Sequence, residues 1–221
     1  MDKNQMSPEI LSRTLDALNP FPEFRPHQKE AIMEVLRRYR AGHETAVLNM
    51  PTGTGKSLVA EMIGGAAREL WAAKTVIASP QIALVRQYGE EDIPMLLGKS
   101  NYLCQYDPPE TRCNACTIKA RWPKTPEDWR NFTDCRSICP YQQARGEFFA
   151  ASLGVTPMAF ALLDQQISAD ILIIDECYQL EASLISQAEI KFPRTISLSA
   201  GGDPAKAVEM WHKSITMNLG V

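Results

Sequence analysis

Eight consecutive residues, Met50-Pro51-Thr52-Gly53-Thr54-Gly55-Lys56-Ser57, combine small, flexible and cationic side chains in the order a polyphosphate requires. Glycine at positions 53 and 55 lets backbone N–H groups turn inward around an anion, and a helix starting behind them adds its positive end. Lys56 can reach the β and γ phosphates, and the Ser57 hydroxyl can hold Mg²⁺. Thr52, Gly53, Thr54, Gly55, Lys56 and Ser57 are therefore the expected nucleotide-binding residues. The full phosphate-loop pattern has glycine where this chain has Met50, so the loop is a variant. Without further support it could be only a Gly-rich turn between a strand and a helix.

The support comes from Asp170-Ile171-Leu172-Ile173-Ile174-Asp175-Glu176. Four aliphatic residues suit a strand buried in a parallel sheet. The two carboxylates then emerge at its C-terminal end, where α/β sheets place their ligands. Asp175 is expected to bind Mg²⁺ directly or through water, and Glu176 to orient and deprotonate the attacking water. An apolar strand ending in Asp-Glu is weak evidence alone. Paired with Lys56 it indicates hydrolysis of a nucleoside triphosphate, with Lys56, Asp175 and Glu176 as catalytic groups.

The flanking sequence supplies elements to hold these groups. A helical stretch runs to about Leu18, and a Pro-rich turn covers Asn19 to Pro26. A helix is predicted over His27 to Arg40. A strand, Thr45 to Met50, leads into the loop, and a helix over Leu58 to Trp71 leaves it. Another strand, Thr75 to Ser79, precedes a helical run from Ile82 to Tyr88. Patterning then lapses until a helix over Tyr141 to Ser152 and the strand Ile171 to Ile174. Alternating elements on both sides of an irregular segment predict one α/β domain, a RecA-like doubly wound parallel sheet, interrupted by an insertion. The expected divisions are 1–98 and 146–180 for the two parts of that domain, 99–145 for the insertion and 181–221 for the start of a second, arch-like insertion or a C-terminal extension.

The chain has 221 residues, 45% of them hydrophobic, and a net charge of −3. Its first twenty residues are too charged for a signal peptide, and no apolar run approaches the ~20 residues of a membrane span. An intracellular protein with no membrane partner is expected, cytoplasmic in a prokaryote or virus and nuclear in a eukaryote. The insertion differs from the rest. Between Lys99 and Arg145, eight basic side chains face five acidic ones, interleaved with Tyr102, Tyr106, Trp122, Trp129, Phe132 and Tyr141. That mixture suits a single-strand groove, where cations follow phosphates and rings stack on bases, though the same rings could form a small core.

Five of six cysteines also lie there: Cys104, Cys113, Cys116, Cys135 and Cys139, with Cys177 outside. Such clustering points to metal. Cys113-x2-Cys116 with Cys135-x3-Cys139 has zinc spacing and leaves Cys104 unused. A four-thiolate iron–sulfur cluster that includes Cys104 is the other reading. Spacing by itself slightly favours zinc.

Three further stretches carry a family resemblance. Phe24-Arg25-Pro26-His27-Gln28 precedes the loop at the distance of an adenine-reading Q motif. Ser79-Pro80-Gln81, continuing through Ile82 to Gln87, resembles the strand-contacting motif Ia of superfamily 2 helicases. Asn101-x2-Cys104, Cys113-x2-Cys116 and Cys139-Pro140-Tyr141 resemble the iron–sulfur insertion of XPD/DinG-type DNA helicases. The resemblance covers about residues 20–180. It implies an ATP-dependent 5′-to-3′ DNA helicase motor acting on single-stranded or tailed duplex DNA. It also implies a [4Fe-4S] cluster on Cys104, Cys113, Cys116 and Cys139, with Cys135 an alternative ligand. Gln28, with Arg25 nearby, would read adenine, and Ser79, Pro80, Gln81 and Gln87 would contact DNA.

Two departures bear on this. Tyr178 stands where the family's Asp-Glu-Ala-His has histidine, which bears on how hydrolysis is linked to strand movement. The family also needs a second RecA-like domain, in the same or another chain, to supply arginines. Residues 1–221 alone are expected to bind single strands, hydrolyse ATP poorly and unwind nothing. The alternatives are a stand-alone module that binds ATP and single strands, and a zinc-stabilised ATPase directed at RNA.

Overall fold

The computed structural model describes residues 7–89, 92–105, 112–113, 125, 137–164 and 166–188. The chain divides into two units, Met1–Ser183 and Leu184–Val221. All described strands lie in the first.

Helix α1 (Pro8–Leu18) starts where Ser7 caps the Glu9 N–H and Pro8 fills the first turn. It buries Leu11 and Leu15. Helix α2 (Gln28–Arg40) turns Gln28, Ile32 and Leu36 inward, a stripe spaced by four residues. Both pack against α3 (Lys56–Trp71), which is buried on two sides because it lies between this pair and the sheet. Its inward positions are filled mainly by small or unbranched residues such as Ala60, Met62, Ala66 and Ala67.

The sheet has three parallel strands in the order β2 (Leu153–Pro157), β1 (Thr75–Ser79), β3 (Ile171–Ile174). Every residue of the central β1 is buried. Thr75 faces Leu153 on one side and Ile171 on the other. On the second edge of β2, Met95 forms a parallel bridge with Val155, and the chain there exchanges backbone bonds with Val155. Helix α4 (Ile82–Gly89) follows β1 and packs on it and on β2. Helix α5 (Pro140–Ala150), a short α6 (Met158–Leu163) and α7 (Leu180–Ala188) complete the described elements.

The parallel α/β arrangement agrees with the fold read from the sequence. Two local expectations need correction. Thr45 to Met50 is not a strand: Val47 is 79% and Leu48 41% exposed, and no ladder takes up its backbone groups. Strand propensity in a short run does not suffice without a neighbouring edge. Conversely, β2 and α6 were absent from the sequence reading, and the helix predicted to reach Ser152 stops at Ala150. Gly154 explains why β2 was hard to see. A Cβ there would stand 2.8 Å from the Phe148 ring, so glycine in this strand admits α5 against the sheet.

Candidate functional site

The phosphate loop is shaped by its own backbone and by α2. Gly53 and Gly55 both have φ of +81°, a left-handed conformation that glycine adopts without strain. Thr54 closes the turn through its N–H and hydroxyl onto the Pro51 carbonyl. The loop then enters α3 at Lys56, with Gly55 as its cap, and so presents a helix N-terminus.

Gln28 braces this turn. It is 1% exposed, and both ends of its amide are engaged. Oε1 accepts from the Arg25 N–H at 2.8 Å, and Nε2 donates to the Thr54 carbonyl at 2.7 Å. The Arg25 guanidinium donates to the Gly53 carbonyl. A Cβ on Gly55 would meet Gln28 Nε2 at 2.5 Å, so loop and brace fit only with glycine there. In this conformation Gln28 and Arg25 serve the loop, and adenine contact by Gln28 would require exchanging one of these bonds. Beside them is a groove of about 430 Å³ whose lining includes Phe21, Phe24, Arg25 and His27.

The carboxylates approach from the sheet. The Asp175 N–H donates to the Ala78 carbonyl, which extends the β1–β3 ladder and fixes Asp175 at the sheet's C-terminal end. Glu176 follows with φ of +51°, an uncommon conformation for a non-glycine residue and one found at functional sites. Its Oε1 accepts from Lys56 Nζ at 3.0 Å. Residues 120 positions apart are thereby joined, and that hydrogen bond, opposed in part by burial, raises the Lys56 pKa above the usual lysine value. The Asp175 carboxyl is also raised, mainly by burial and then by the adjacent Glu176 charge.

One group here was not foreseen. Tyr88, 2% exposed on α4, points its hydroxyl at Asp175 Oδ2 at 3.4 Å and lies within hydrogen-bonding reach of Ser57. Burial pushes its phenol well above the usual tyrosine range, so it remains a neutral donor. In the sequence it read only as the end of an amphipathic helix.

The motif Ia residues divide. Gln81 and Gln87 are exposed and Pro80 is half-buried. Ser79 is wholly buried, with no hydrogen-bond partner for its hydroxyl, so its side chain offers nothing to a strand in this conformation. Tyr178, beyond Glu176, is 74% exposed.

In the insertion, Leu103 bridges antiparallel to Arg112, and the Cys113 N–H donates to the Tyr102 carbonyl. This brings Cys104 and Cys113, both buried, together with Cys139 at the start of α5. Burial, followed by the neighbouring Cys139 and Cys104, pushes the Cys113 thiol up to about 11, and Cys113 and Cys139 share a hydrogen bond. Lys99 lies over the Tyr141 ring, which packs edge-on against Tyr102. Cys116, Cys135, Tyr106, Trp122, Trp129 and Phe132 lie outside the described residues. Among the described residues, no group of three or more His, Cys, Asp or Glu side chains is arranged to hold a metal ion. No helix among them is long and apolar enough to cross a membrane.

Residues 21–202 match the model of the family described as "Type III restriction enzyme, res subunit" (ResIII). No curated protein matches the chain at a significant level. The match spans the brace, the loop, α4, the insertion and the Asp-Glu pair, and covers well over half of the sequence. The chain belongs to the ResIII family and carries the N-terminal, ATP-dependent motor of a superfamily 2 helicase, a nucleic-acid-binding domain.

Proposed function

We propose that the chain hydrolyses Mg-ATP to drive movement along single-stranded DNA, as half of a two-domain helicase motor. The observation that carries this reading is the Lys56–Glu176 contact, which joins the phosphate loop to the carboxylate pair across the sheet's C-terminal end. Lys56 would neutralise the β and γ phosphates. Ser57 and Asp175 would hold Mg²⁺, and Glu176, released from Lys56 by the incoming phosphate, would orient and deprotonate the water. Thr52 to Gly55 would wrap the phosphates, while the groove beside Arg25 and Phe24 is suited to the base. A second RecA-like domain, in the same or another chain, would complete the charge stabilisation. The 5′-to-3′ direction is implied only by the resemblance to XPD/DinG-type helicases.

The exposed Gln81 and Gln87 would face the strand, with Pro80 beside them. In the insertion, Cys104, Cys113 and Cys139 supply thiol donors of the kind an iron–sulfur cluster takes. We assign the cluster to these three with Cys116 as fourth ligand, as the family resemblance implies; zinc on Cys113, Cys116, Cys135 and Cys139 is the alternative. A bound cluster would cross-link the insertion and add to its folding energy.

Mg²⁺-dependent ATP hydrolysis, measured with and without single-stranded DNA, tests the reading. Slow turnover that the strand accelerates is expected. A protein that binds no Mg-ATP would contradict it. Iron analysis of anaerobically purified protein tests the cluster, and one zinc with no iron would defeat that part alone.

A further inference from the structure

We propose that Tyr88 is a positioning residue that ties the outward face of α4 to the magnesium ligands Ser57 and Asp175. This rests on the nucleotide site described above and adds a link between that site and the strand.

The argument begins with what packing requires. Tyr88 sits with Ala60, Ile77, Val85, Leu97 and Val155 in a buried apolar cluster. Phenylalanine would satisfy that environment equally. The hydroxyl is a polar atom brought into it, and a buried donor is retained where it has a partner. The partners here are not incidental. They are the Asp175 carboxylate and, within reach, the Ser57 hydroxyl, the two side chains that would hold Mg²⁺.

The geometry also gives the contact a direction of change. At 3.4 Å the Tyr88–Asp175 bond is well beyond the usual 2.5–3.0 Å for an O–H···O bond. A shift of α4 by a fraction of an ångström would bring it to full strength. Helix α4 is eight residues long, and Val85 and Tyr88 hold its inner face on the sheet. Arg86 and Gln87 are exposed on the same short helix, and Gln81 is exposed just before its first residue. A strand that draws on those side chains moves the element that carries the hydroxyl. Donation to Asp175 Oδ2 would then restrain the carboxylate that is expected to hold Mg²⁺.

Tyr88→Phe removes only the hydroxyl. ATP affinity is measured for the full chain with excess Mg²⁺ and again in EDTA, each with and without an oligothymidylate strand. The expected result is an affinity for Mg-ATP lowered roughly fivefold, the worth of one hydrogen bond. The strand should no longer raise it, while metal-free ATP affinity and the thermal midpoint stay as in the wild type. An unchanged response to Mg²⁺ and to the strand would overturn the inference and leave the nucleotide site standing. Equal loss of affinity in EDTA, or a variant that melts far below wild type, would make the hydroxyl a fold contact and also overturn it. If the wild-type chain itself binds no Mg-ATP, the nucleotide site fails and the inference falls with it.

Discussion

The nucleotide site and the cysteine-rich insertion are built in opposite ways. The nucleotide site draws on Gln28, Lys56, Tyr88, Asp175 and Glu176, each fixed by a regular element whose core would exist without any ligand. Among its described residues, the insertion contributes two buried cysteines, Cys104 and Cys113, with Cys139 half-buried beside them. Cys113 packs in one cluster with Tyr141 of the insertion and with Val76 of β1, Leu96 and Phe148 outside it. The first region has a scaffold waiting for chemistry. The second has chemistry that would complete its scaffold. Substitutions at the charged groups of the first, Lys56 and Glu176, should therefore separate function from folding, and substitutions in the second should merge them.

Lys56→Ala should break the comparison most visibly if it is wrong. Removing this charge should lower ATP turnover of the complete protein on the order of 100-fold or more, the scale for losing one preorganised charge at a reacting group. Its melting temperature should stay within a few degrees of wild type, because Lys56 is a functional charge on a partly exposed site. Steady-state hydrolysis beside a thermal melt checks both halves.

Cys104→Ser should behave differently. If Cys104, Cys113, Cys116 and Cys139 hold a cluster, this variant loses most of its iron and destabilises the insertion, since metal binding there is folding energy. Cys135→Ser should keep both iron and stability. Metal analysis of the pair is the readout, and the reverse ranking would return the site to zinc.

Gln28→Ala sharpens the scaffold side. The change removes the amide that joins the Arg25 N–H to the half-buried Thr54 carbonyl, and leaves both without that partner. A loss of about 1–3 kcal/mol in stability is expected, from chemical denaturation, together with weaker nucleotide binding. Intact stability with altered base preference would instead make Gln28 an adenine reader only.

The smallest effect concerns pH. The hydrogen bond that Lys56 donates to Glu176 raises the Lys56 pKa above its usual 10.5. The ion pair's contribution is thus complete below about that pH and is lost as pH rises through the raised value. Both side chains are partly exposed, so solvent screens the pair. In alkaline titration the nucleotide-free wild type should lose slightly more stability than Glu176→Gln. Equal loss would mean that the pair adds nothing to the fold.

How much was legible in the sequence follows the same division. The loop, the Asp-Glu pair and helices α2 to α4 rest on local spacing, and the elements lie close to where periodicity put them. Strand β2 was missed because its glycine answers to Phe148 rather than to strand propensity. Thr45 to Met50 was overread because an apolar run carries no information about whether an edge will accept it. Tyr88 was invisible for another reason. Its role depends on Asp175, 87 residues away, and no spacing rule connects the two. Ser79 matched a strand-contacting motif, yet at the end of a fully buried strand its side chain points into the protein.

The central claim is that Lys56, Asp175 and Glu176 form one Mg-ATP site with separate tasks. Its most direct test is Mg-dependent binding of a fluorescent ATP analogue to the wild type, Lys56→Ala and Glu176→Gln. Glu176→Gln keeps the shape of the carboxylate and gives up the base, and it frees Lys56 from its ion pair. It should bind Mg-nucleotide at least as tightly as wild type while hydrolysing it slowly, whereas Lys56→Ala should bind weakly. Equal loss of binding in both variants, or wild-type binding and turnover in Lys56→Ala, would contradict the account.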